Sequence, residues 1–112
     1  MGSPILQSIG VIVPMHAESA RGDQTRRVHL VLWSDLVENS VFMNQYKEYP
    51  DTEHFMNDGA YRHLHTDLHG VDVTLFRLER PDHVEVQDAA HFRWWREVLT
   101  AMGARIRWQE SI

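Results

Sequence analysis

Four side chains of metal-ligating type stand close together in the chain: His63, His65, Asp67 and His69, within the stretch YRHLHTDLHG from Tyr61 to Gly70. As a strand, they would alternate with Leu64, Thr66 and Leu68 and share one face. As a helix, Tyr61, Leu64 and Leu68 would form the buried stripe, with His65 and His69 on one flank and His63 and Asp67 on the other. Gly70, directly behind the periodic run and ahead of the apolar Val71, has the place of a left-handed helix terminator. The expectation is therefore a helix from about Ala60 to His69. On it, His65 and His69 project together at i, i+4 and could hold one divalent ion such as Zn²⁺, with a carboxylate from elsewhere completing the site. The competing account is a solvated, histidine-rich flank.

The run departs from the HxHxDH signature of metallo-β-lactamase-fold hydrolases, because its last histidine is displaced by one position and the chain is too short for that fold. No H-E-x-x-H pair, G-x-S-x-G elbow, GxxxxGK[ST] loop or GxGxxG turn occurs. His65, His69 and His91 are the weak candidates for acid–base work. For His91, a buried neutral imidazole donating to a backbone carbonyl is the plainer account. Trp94, Trp95 and Trp108 could line a pocket for a flat ligand, although core packing explains Trp95 and Trp108 as well. Phe42, Tyr46 and Tyr49 recur at i, i+4 and i+7, and with Trp94 they are the candidate interaction residues.

The elements that must position these residues follow from periodicity. Ile5–Val13 is rich in β-branched residues and closed by Pro14, so it reads as a strand. A polar loop follows and contains Arg21-Gly22-Asp23, a tripeptide too short to carry meaning alone. Val28–Trp33 is apolar on both alternating faces, which predicts a strand central in its sheet. Asp35 and Glu38 have capping-box spacing for a helix carrying Phe42, Tyr46 and Tyr49, and Asp51 can cap a short next turn. Asn57-Asp58-Gly59 breaks the pattern. Val71–Arg80 is a strand, and Val84 and Val86 suggest a short antiparallel return after the turn at Pro81. Asp88 caps a helix that ends at Gly103, and Ala104, Ile106 and Trp108 point inward along a last strand. The expected class is α+β: a single domain over residues 1–112 with an antiparallel or mixed sheet and two to three helices. Its order is that of a ferredoxin-like sandwich with an extra N-terminal strand.

Composition narrows function further. The chain of 112 residues has no cysteine, which excludes thiolate metal sites and cysteine nucleophiles. A net charge of −5 argues against general nucleic-acid binding. There is no membrane-length apolar run and no signal-peptide build, so a cytoplasmic location is expected; Met1–Pro4 fits a native start or a cloning remnant. Small, acidic and without an active-site motif, the chain fits a self-associating protein-interaction module of the immunity, antitoxin, inhibitor or phage-assembly type. The partner would be another protein or a second copy. The alternative is a metal-assisted or acid–base enzyme, or a ligand binder, built on His63, His65, Asp67 and His69, with a divalent metal as its cofactor.

Overall fold

The computed structural model describes residues 5–19, 28–38, 45, 51–83 and 85–112. The first element, α1 (Ile5–Ser19), is a helix where the β-branched composition suggested a strand. Period decides the matter. Leu6, Ile9 and Val13 recur at i, i+3 and i+7 and are all buried in the core. Burying side chains of this kind is worth about 1.5–3 kcal/mol each, against helix-propensity deficits of about 0.7 kcal/mol or less for each β-branched residue, about 1 for Gly10 and about 3 for Pro14. A residue from far along the chain helps to start the helix: the buried Glu38 carboxylate accepts the Leu6 N–H at 2.9 Å.

β1 (Val28–Ser34), β2 (Val71–Arg77) and β3 (Arg105–Ser111) form one sheet in the order β1-β2-β3. Both pairings are parallel. The antiparallel or mixed sheet expected from sequence is thus overturned, and with it the ferredoxin-like order. The strand expected at Val84 and Val86 does not form: residues 85–88 make turns and bends, and Val84 lies outside the described residues. What remains is strand–helix–strand–helix–strand. The short helices α2 (Thr52–Met56) and α3 (Gly59–Leu64) connect β1 to β2, and α4 (Ala89–Ala101) connects β2 to β3. Such alternation brings each strand back in the same direction as the last.

Helix boundaries are chemically marked. Asp51 caps α2 by accepting the His54 N–H at 2.8 Å, and Asp88 caps α4 by accepting the His91 N–H at 2.8 Å. Met102 is the C-cap of α4, and Gly103 follows it with a φ of +106°, which favours glycine. The capping box expected at Asp35 and Glu38 does not start a helix. Residues 35–38 run outside regular structure, and Asp35 accepts the Val37 N–H in a local turn instead. The Phe42/Tyr46/Tyr49 stripe and Arg21-Gly22-Asp23 lie outside the described residues.

The core lies on one face of the sheet. Val71, Val73 and Leu75 of β2 meet Leu6 and Ile9 of α1, Phe55 of α2, Leu64 of α3 and Trp95, Val98 and Leu99 of α4 in one buried cluster. Val28, Leu30, Leu32 and Ile106 pack against it from the edge strands. β1, expected to be central, is an edge strand; β2 is central.

Candidate functional site

The histidine stretch does not form the expected helix. α3 stops at Leu64, residues 65–68 are irregular, and Gly70 (φ +79°) closes a turn that leads into β2. His65 is exposed, its ring edge-on to Tyr61 at 5.4 Å. The Asp67 carboxylate accepts the His69 N–H at 3.0 Å and lies 2.6 Å from the His69 Nδ1. Those bonds, the backbone one first, hold Asp67 below the usual carboxylate range. His69 in turn lies beside Gly103, where a Cβ would come within 2.8 Å of the imidazole. Together with the Leu68 N–H bonding to the Met102 carbonyl at 2.9 Å, this contact braces the loop against the end of α4. His63 lies in α3, but its side chain is outside the described part. Among the described residues, no three His, Asp or Glu side chains are grouped so as to hold a metal ion.

The other titratable candidate, His91, is buried at the C-terminal end of the sheet. An arginine can only donate, so the 3.1 Å contact from Arg77 Nη1 makes His91 Nδ1 the acceptor. The imidazole proton therefore sits on Nε2 and is donated to the Leu36 carbonyl at 2.9 Å. Trp95 Nε1 donates to the same oxygen at 2.6 Å. Burial first, and Arg77 second, push the His91 pKa down against the Leu36 bond, so the ring is neutral. Leu36 has φ +58°, unusual for a residue with a Cβ, and this cluster holds it there. Arg77 also donates to Ser111 Oγ and to the Asp88 carbonyl, and stacks over Phe92 at 4.6 Å. Nearby, Gln87 accepts the Arg80 N–H and donates to the Asp35 and Leu78 carbonyls. Arg77 and Gln87 escaped the sequence reading. The only signal was a charged residue at an inward position of an apolar strand. These bonds tie the ends of the three strands together.

Trp94 is buried, packed against Phe55 at 5.3 Å and Trp95 at 5.2 Å between ring centroids. Trp108 is elsewhere. Sequence alternation pointed it inward, but the β2–β3 register shifts between Val73 and Thr74: Ile106 pairs with Val73, and Trp108, not Arg107, pairs with Thr74. A bulge of one residue sends every later side chain of the strand to the opposite face. Trp108 is consequently 59% exposed on the face away from the core.

That second face is laid out in three levels by the register. His29, Asp72 and Arg105 form the first level; Val31, Thr74 and Trp108 the second; Trp33, Phe76 and Glu110 the third. Val31 is 51% and Trp33 64% exposed, and Trp33 touches Phe76 at 5.6 Å between ring centroids. The polar members are ordered. His29 Nε2 lies 2.9 Å from Thr74 Oγ1, Arg105 Nε is 3.1 Å from Asp72 Oδ1, and Trp108 Nε1 donates to Glu110 at 3.3 Å. Beside it, a groove of about 560 Å³ runs between α1 and β1, lined by Ile5, Ile12, Leu30, Val31, Trp33 and Arg80 among others. No helix among the described residues is long and apolar enough to cross a membrane. Comparison of the chain with protein-family models, with curated proteins and with solved structures found no match.

Proposed function

We propose that this chain is a small protein-interaction module and that the open face of its sheet is the docking surface. The observation that carries this reading is the sheet itself. Parallel sheets are ordinarily covered on both faces, because crossover helices pack there. Here the described helices pack on one face, and the other displays Val31, Trp33, Phe76 and Trp108. Exposed tryptophans such as Trp33 and Trp108 are anchor types of protein interfaces. The histidine stretch supports no comparable proposal, since its described side chains serve the local turn and the end of α4.

The reading is tested by placing a photo-crosslinking phenylalanine analogue at Val31, on the open face, or at Arg93, exposed on α4, and irradiating the protein in its native cells. The expected result is a discrete adduct from position 31 and none of that mass from position 93. An open-face probe that captures no more than the α4 probe would overturn the reading.

A further inference from the structure

We infer that the occupant of the open face is a second copy of this chain, stacked face to face about a two-fold axis that runs across the strands. The inference rests on the docking reading above and specifies its partner. Two features of the face argue for a self-complementary match. The first is charge. β3 carries Arg105 at its first level and Glu110 at its third, on the same face. A two-fold across the strands superposes the first level of one copy on the third level of the other. Each Glu110 then faces the Arg105 of the opposite copy, twice per dimer. Arg105 is roughly half exposed, its Asp72 contact leaving part of the guanidinium open to a second carboxylate. A two-fold along the strands would instead set Arg105 over His29 and Glu110 over Trp33, with no ion pair. A second copy thus selects one orientation by charge, and an isologous contact requires such self-complementarity.

The second feature is the apolar middle of the face. The two-fold passes through the middle level, where Val31, Thr74 and Trp108 of each copy face their own counterparts. Val31 and Trp108 thus bury apolar surface against their own counterparts on either side of Thr74. Sheets stack face to face about 10 Å apart, rotated by about 30°. In the same arrangement Trp33 lies over His29 of the other copy, and Phe76 over the Asp72–Arg105 pair.

Area sets the strength. Three strands about 4.8 Å apart and seven residues long at about 3.3 Å each give a face of roughly 14 by 23 Å, about 330 Å² in projection. Both copies together come to about 660 Å² in projection, below the roughly 1,200 Å² of standard specific interfaces, so the dimer belongs to the weak, transient class.

The experiment is sedimentation equilibrium of the full chain from about 1 to about 300 µM. Wild type is expected to pass from monomer to dimer within that range. Glu110→Arg alone, or Arg105→Glu alone, places like charges together at both ends of the homodimer and should weaken association at least about tenfold. Mixed in equal amounts, the two variants pair opposite charges at both ends, and dimer should return near the wild-type level. Circular dichroism of each variant checks that the monomer is folded, and recovery on mixing itself requires folded monomers. Three results would overturn the inference: a wild type that stays monomeric throughout, variants that dimerise as wild type does, or a mixture that fails to recover. If instead the position-31 probe captures a protein of different mass, the docking reading stands and the second copy falls. If it captures nothing, both fall.

Discussion

At the residue scale, His91 and Gly103 make opposite demands on the sequence reader. The sequence pointed His91 at a backbone carbonyl, but not at that of Leu36, nor at Arg77, which separate elements bring to it. Its depressed pKa has a signed consequence. The ring is neutral in the fold but takes up a proton freely near pH 6.5 once unfolded. Acid therefore favours the unfolded chain. Stability is intact above the unfolded value and falls as pH drops below it. Urea melts between about pH 7.5 and about pH 5 should show this loss, and His91→Leu should flatten it. The same substitution should cost about 1–3 kcal/mol at neutral pH, because Arg77 Nη1 loses its imidazole acceptor. Gly103, by contrast, was legible. Glycine after a helical run announces positive φ, and both Gly103 and Gly70 have it. Gly70→Ala meets nothing within 4 Å and should cost only the backbone strain of about 1–2 kcal/mol. Gly103→Ala should cost more, since its Cβ also meets the His69 ring, and His69→Ala should relieve that excess in a double-mutant cycle read by thermal melts.

At the element scale, α4 and the core of β2 were plain, because each repeats its period over many residues and has a capping or turn signal at its ends. α1 was not. Ile5, Val11, Ile12, Val13 and Pro14 all bias the eye towards a strand, while the deciding Leu6/Ile9/Val13 spacing is sparse. The two readings differ in a measurable way. In a strand, Ile9, Val11 and Val13 would share a face. In the helix, Ile9 is buried and Val11 is 63% exposed. Ile9→Ala should cost about 2–5 kcal/mol and Val11→Ala less than about 0.5 kcal/mol in urea denaturation; equal costs would favour a strand. β3 was misread for a different reason. Strict alternation from Ala104 aims Trp108 inward, and nothing in ARIRWQES announces the bulge that turns it out. The histidine stretch shows the converse: Leu64 and Leu68 are buried as the helical stripe required, but only the first lies in a helix.

At the scale of the whole molecule, the sequence showed apolar residues on both faces of VHLVLW and VTLFRL, and that part of the site was readable. The direction of the strands was obscured by the Val84/Val86 alternation, which is too short to form a strand against the pull of a crossover helix. Without that false strand, strand–helix alternation alone points to a parallel sheet. A parallel sheet with helices on one side then leaves a definite surface to explain. The four tryptophans report on it separately: Trp94 and Trp95 are buried in the core, while Trp33 and Trp108 stand on the open face. The most direct test follows the four indole N–H resonances of ¹⁵N-labelled protein by NMR as its concentration is raised. Docking of a second copy through the open face predicts that the Trp33 and Trp108 signals shift and broaden together while those of Trp94 and Trp95 hold still. Association that moves the signals of Trp94 or Trp95, or that leaves Trp33 and Trp108 untouched, would contradict it.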